Sequence, residues 1–150
     1  MKHLLSGEYF DTPGMPPPLV FVEVKNDIMG LMGIVHIKAV IKQNKVAKKK
    51  AEERFLVDTG AQYTLIPKEI VDKLALKPMR EQEFILADGN SVIRKIGEAY
   101  IEMDKHQGTT TVILGEKGDS ALLGTVTLEQ MGLIVDPFKR ELRAIKALLM

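Results

Sequence analysis

Phe55-Leu56-Val57-Asp58-Thr59-Gly60-Ala61 is a short apolar run that ends in an acid, a hydroxyl and two very small residues. The aromatic and β-branched side chains of the run fit a buried strand, and Gly60 with Ala61 allows a turn in which backbone approaches backbone closely. Asp58 is therefore expected where a strand leaves the core. A carboxylate there is costly unless it is hydrogen-bonded or used. An Asp in a turn ordinarily bonds its own backbone two residues on, so the rest of the chain must decide whether Asp58 does more.

Upstream, Lys42 to Lys50 carries five lysines and is followed by Glu52, Glu53 and Arg54. Without interleaved aromatics, and with acids next to it, this stretch reads as a solvated hairpin tip rather than a nucleic-acid patch. Ile34 to Ile41 and Glu52 to Val57 are then the two arms, and Asp58 lies where the second runs out. Downstream, Thr64-Leu65-Ile66 is strand-like. Pro67 at a first helical position, an early Glu69, and Ile70, Val71 and Leu74 on one face predict a short helix.

Glu83 to Ala87 and Ser91 to Ile96 flank Asp88-Gly89-Asn90, a hairpin signal because Asp-Gly tolerates the positive φ of a primed turn. Glu98 to Met103 and Thr109 to Leu114 alternate as strands about a turn at Lys105 to Gly108. Thr125 to Met131 reads as a second short helix closed by Gly132. Leu133 to Val135 and Glu141 to Ile145 supply the last strands. So many short strands favour an all-β barrel or sandwich.

One hundred and fifty residues suit one domain with one core. Residues 1–28 contain Pro13-Gly14-Met15-Pro16-Pro17-Pro18 and read as a Pro-rich arm that avoids a sheet interior, although Leu19 to Val24 has strand character. The domain is expected over residues 29–146, and residues 147–150 form an apolar tail. A net charge of +1 supplies no bulk field for nucleic acid or membrane. No apolar run is long enough to span a bilayer, and Met1 to Glu8 lacks the apolar centre of a signal peptide. The absence of cysteine fits a reducing compartment. A cytoplasmic location is expected.

The chemistry narrows by elimination. His3, His36 and His106 are scattered and no cysteine is present, so no zinc site and no cofactor are expected. Gly118-Asp119-Ser120 has the opening of a hydrolase motif, but no histidine base follows His106. Gly115 to Gly124 lacks the Lys-Ser/Thr ending of a phosphate loop.

Asp58-Thr59-Gly60-Ala61 and the distant Leu122-Leu123-Gly124 remain. With Thr64-Leu65-Ile66-Pro67, Ala87-Asp88-Gly89 and Gly132-Leu133-Ile134-Val135-Asp136-Pro137, they resemble the retropepsin-like aspartic proteases, in particular the small cellular and prokaryotic members. The resemblance covers about residues 32 to 145 and implies a closed all-β barrel with two short helices and a β-hairpin flap. It implies an aspartic endopeptidase in which Asp58 is catalytic. Thr59 would tie two active-site loops together across a dimer axis, and the Gly60 amide would hold the Asp58 carboxylate. Leu56, Ala61, Gln62 and Leu122 would line the substrate cleft, with Ala87, Asp88 and Gly89 on the flap over an extended peptide. Many viral members carry an acid where this chain has Gln62 and an arginine where it has Thr125, and their flap turns hold several glycines.

Peptide hydrolysis by acid–base chemistry needs two carboxyl groups on one water. The chain has one Asp-Thr-Gly, so the expected partner is a second copy of the chain, with polypeptide as substrate. A catalytically silent dimeric peptide-binding or scaffolding module of the same fold is the alternative. A nucleic-acid-binding barrel using Lys42 to Lys50 ranks last.

Overall fold

The structure is a computed structural model that describes residues 34–136 and 138–145. The expected arm over residues 1–28, the strand character of Leu19 to Val24, the domain's start near Met29 and the tail over residues 147–150 lie outside these residues.

Strand β1 (His36–Lys42) and strand β2 (Lys50–Val57) form the expected antiparallel hairpin around the lysine-rich tip. In β2 the side chains of Ala51, Phe55 and Val57 are buried while Glu52 and Arg54 are exposed. A pleated strand with one wet face imposes this period of two. Next come β3 (Thr64–Ile66), helix α1 (Lys68–Leu74), β4 (Pro78–Ile85), β5 (Ser91–Met103) and β6 (His106–Leu114). The described chain ends with β7 (Leu122–Leu123), helix α2 (Thr125–Gln130), β8 (Leu133–Asp136) and β9 (Glu141–Ala144).

Seven strands share one sheet in the order β1-β2-β7-β3-β6-β5-β4, and β1 also pairs with β5. Strands β8 and β9 form a separate hairpin. The described residues are thus mostly strand with two short helices, as the sequence suggests. One apolar cluster unites them: Ile41, Phe55, Ile66, Ile101 and Leu123 are all fully buried. Burying a side chain the size of Phe55 contributes about 2–3 kcal/mol.

Several boundaries differ from the sequence reading, each for a local reason. Pro67 is the N-cap of α1, with φ −58° and ψ 149°, rather than its first helical residue. Strand β5 runs unbroken through Gly97, where a Cβ would stand 2.6 Å from the Lys77 carbonyl oxygen. The glycine admits a crossing backbone and does not end the strand. Met103 pairs with His106, so the turn is Asp104-Lys105, with Asp104 at φ 55°. His106, Gln107 and Gly108 belong to β6. Strand β4 begins at Pro78, well before Glu83, where it pairs with β5; its first four residues are exposed and carry no alternation that the sequence could reveal.

The tip of the β4–β5 hairpin also departs from a two-residue primed turn. The Leu86 amide donates to the Asn90 carbonyl at 2.7 Å and the Gly89 amide to the Leu86 carbonyl at 2.9 Å. Gly89 is at φ +90°, whereas Asp88 is not among the residues of positive φ. This is a three-residue loop with a glycine bulge. Asp88 instead stabilises it as an acceptor for the Asn90 amide at 2.9 Å.

Candidate active site

Strands β2 and β3 flank the loop Asp58–Tyr63, and two residues of β7 wedge between them. Leu56 and Val57 pair in parallel with Leu122 and Leu123, while Leu65 pairs antiparallel with Leu122. The Leu56 amide donates to the Ala121 carbonyl at 3.2 Å and the Asp58 amide to the Leu123 carbonyl at 3.0 Å. The two sequence-distant motifs therefore meet through backbone hydrogen bonds.

Gly124 explains the small residue after Leu122-Leu123. A Cβ there would lie 2.5 Å from the Tyr63 carbonyl carbon and 2.7 Å from the Gln62 carbonyl oxygen. Immediately beyond it, the Thr125 amide donates to the Ala61 carbonyl and the Val126 amide to the Gln62 carbonyl, both at 2.9 Å. Backbone donors at the start of α2 thus hold the loop at Ala61-Gln62, with no call on an arginine at position 125.

Beneath the loop lies a network that sequence reading does not expose. The Gly124 amide donates to the Thr64 hydroxyl at 3.0 Å. The Thr127 hydroxyl stands 2.6 Å from that of Thr64 and 2.9 Å from that of Thr110. All three threonines are buried. The one available signal was Thr127 beside Leu128 on the buried side of a short helix.

Asp58 itself is 7% exposed. Its Oδ1 accepts the Gly60 amide at 2.9 Å, and its backbone carbonyl accepts the Ala61 amide at 3.0 Å. Burial raises its carboxyl above the usual aspartate range, against the opposing pull of the Gly60 and Ala61 amides. A carboxyl that keeps its proton toward milder acidity is suited to proton transfer. Beside it the Thr59 hydroxyl oxygen is buried and has no hydrogen-bond partner within the described residues.

The other expected site residues fall into two groups. Leu56, Ala61 and Leu122 are half-buried around the Asp58 loop, and Gly60 and Gln62 are exposed on it. Ala87, Asp88 and Gly89 are exposed at the tip of the β4–β5 hairpin. That hairpin meets the loop through Phe84, whose ring stands edge-on to Tyr63 with centroids 6.2 Å apart. A groove of about 480 Å³ next to the loop is lined by Leu56 and Ala121 together with His36, Arg54, Glu53, Glu69 and Asp119. Burial, then the Arg54 charge, lowers the His36 pKa. Of the expected cleft residues, Leu56 lines this groove, whereas Ala61, Gln62, Leu122 and the hairpin tip do not. Among the described residues, no group of three or more His, Cys, Asp or Glu could hold a metal ion. No helix among them is long and apolar enough to cross a membrane.

A family model described as "gag-polyprotein putative aspartyl protease" matches residues 44–130. No curated protein matches the chain. Among solved structures, the chain is similar to the crystal structure of a retropepsin-like aspartic protease from Rickettsia conorii. The two are 28% identical over 71% of this chain and 87% of that one, with a TM-score of 0.40. The family match spans more than half of the chain and takes in both the Asp58 loop and Leu122-Leu123-Gly124, so the chain belongs to the gag-type, retropepsin-like aspartyl protease family.

Proposed function

We propose that this chain is an aspartic endopeptidase that works as a homodimer, its catalytic dyad made of Asp58 from each copy. The observation that carries this reading is the pairing, in one loop, of a buried carboxyl with a raised pKa and a buried threonine hydroxyl that has no partner among the described residues. A two-fold axis beside the loop supplies both missing groups at once, a second carboxyl for Asp58 and a hydrogen-bond partner for Thr59.

With one proton shared between the carboxyls, the ionised one takes a proton from a water whose oxygen attacks the peptide carbonyl carbon. The protonated one gives its proton to the carbonyl oxygen. When the tetrahedral intermediate collapses, the C–N bond breaks, the leaving amine takes the proton that the first carboxyl gained from water, and the second carboxylate recovers a proton from a hydroxyl of the intermediate. The Gly60 amide keeps each carboxylate oriented. Leu56, Ala61, Gln62 and Leu122 line the cleft, and the β4–β5 hairpin, with Ala87, Asp88 and Gly89 at its tip, is the flap that covers an extended peptide. The additional pairing of β1 with β5 supports a closed barrel as the scaffold. The unit spans residues 29–146, and the absence of cysteine supports a cytoplasmic setting.

Sedimentation of the full chain, combined with peptide cleavage and pepstatin inhibition between about pH 4 and 8, tests the proposal. The expected result is a dimer with pepstatin-sensitive cleavage that Asp58→Asn abolishes. A persistent monomer, or cleavage retained by the pure variant, overturns it. Saturable pepstatin binding without turnover marks the silent peptide-binding module instead.

A further inference from the structure

The β4–β5 hairpin leaves the sheet at a definite point. The ladder between β5 and β6 ends at Lys95 paired with Leu114, so Arg94 is the first residue of β5 without a β6 partner. Beyond it, residues 91–94 pair with β4 alone. A two-stranded arm supported on neither side by further strands has no fixed angle of its own.

Arg94 supplies one. Its Nε donates to Asp119 Oδ2 at 2.8 Å and its Nη2 to Asp119 Oδ1 at 3.1 Å, a planar fork on a carboxylate. Asp119 is itself fixed, since Oδ2 also accepts the Glu116 amide at 2.7 Å and its own amide donates to the Glu116 carbonyl at 2.9 Å. Two residues on, the Ala121 carbonyl receives the Leu56 amide, and β7 begins at the next residue, Leu122. The ion pair thus links the root of the hairpin to the segment that frames Asp58. Register puts Arg94 opposite Gln82 and Val92 opposite Phe84, so Arg94 and Phe84 share the face of the hairpin turned to the body. Phe84 meets Tyr63 on that face, while Ile85 and Ile93 on the other are 76% and 61% exposed.

We propose that Arg94 and Asp119 are positioning residues, a bidentate latch that sets the angle of the β4–β5 hairpin over the Asp58 loop and so the affinity for extended peptides. The affinity half of this proposal rests on the peptidase reading of Asp58, and the hairpin half stands without it. Losing the latch lets the arm swing away, and a bound peptide must then re-order it.

Amide hydrogen exchange and pepstatin binding, measured on the full chain for wild type, Arg94→Gln, Arg94→Lys, Asp119→Asn and the double variant, test the latch. Arg94→Gln should speed exchange over residues 84–92 about tenfold, the scale of a charge-assisted hydrogen bond. Exchange at Ile101 and Val112 should not change. Pepstatin Kd should rise by a similar factor, Arg94→Lys should fall between, and the double variant should add nothing to the singles. Unchanged hairpin exchange in both Arg94→Gln and Asp119→Asn overturns the latch, as does equal acceleration in the core strands. Faster hairpin exchange with unchanged pepstatin affinity overturns the positioning role. Wild type that neither binds pepstatin nor cleaves peptide removes the peptidase reading and with it the affinity half, while the exchange comparison still decides the latch.

Discussion

The amide of Asp58 donates to the carbonyl oxygen of Leu123 at 3.0 Å, so the residue proposed as catalyst is held by a strand that begins more than sixty positions later. That bond requires Gly124. The next residue must pass under Tyr63, and a Cβ at Gly124 would meet three backbone atoms of Gln62 and Tyr63 at 2.5 to 2.7 Å. Backbone atoms of a paired loop cannot step aside as a flexible side chain does. Gly124→Ala should therefore destabilise the fold by about 2–4 kcal/mol, as overpacking in a closed core does. Urea unfolding checks this, and a loss under about 0.5 kcal/mol would mean the loop has room to relax.

Asp58→Asn separates chemistry from stability. General acid–base groups contribute roughly 10²–10⁴-fold each, and Asn at the proposed dyad supplies neither a base nor an acid, so peptide cleavage should fall below detection. Its effect on folding has the opposite sign. Burial raises the folded-state pKa of Asp58 above the unfolded value, so the folded chain holds this proton more tightly than the unfolded one. The resulting stability is fully present below the unfolded pKa and is lost as pH rises through the folded pKa. Melting curves across pH should show the Asn variant gaining on wild type as pH rises from about 4, and a gap that does not widen contradicts the raised pKa.

Thr59 tests the dimer from the other side. Its hydroxyl is buried and has no hydrogen-bond partner among the described residues, and such a group costs about 1–3 kcal/mol. Thr59→Val removes that cost from the monomer and removes a bond from the proposed dimer. Chemical denaturation at low protein concentration should show unchanged or improved monomer stability. Sedimentation should show dimer Kd weakened about tenfold to a hundredfold. Equal dimerisation by wild type and variant would mean the hydroxyl finds nothing across the axis.

What the sequence made legible follows from how local each constraint is. Leu122-Leu123-Gly124 stands out because close backbone approach demands glycine whatever surrounds it, as Gly124 against Tyr63 illustrates, and Asp58-Thr59-Gly60 because an acid directly follows a buried apolar run. The hairpins of β1–β2 and β8–β9 show in their alternation. The first half of β4 does not, since Pro78 to Glu81 are exposed and nothing selects apolar residues there. The Asp104-Lys105 turn was hidden because its positive φ falls on an aspartate and the nearby Gly108 lies in a strand. The Arg94–Asp119 fork joins residues 25 apart through side chains alone, and no periodicity encodes such a pair.

The threonine network yields a further test, because its members differ in what they leave behind. Thr127 bridges Thr64 at 2.6 Å and Thr110 at 2.9 Å. Thr127→Val removes the bridging oxygen and leaves buried hydroxyls without their shared partner, at a cost of about 1–3 kcal/mol. Thr127→Ser keeps the oxygen and loses one methyl, about 1 kcal/mol or less. Thr64→Val also strips the Gly124 amide of its acceptor, so it should cost more than Thr127→Val. Because both act on one connected network, the double variant should lose less than the sum of the singles. Urea titrations of the four proteins decide the point: strictly additive losses would show that the hydroxyls stabilise independently and that the Asp58 loop is held by its backbone bonds alone.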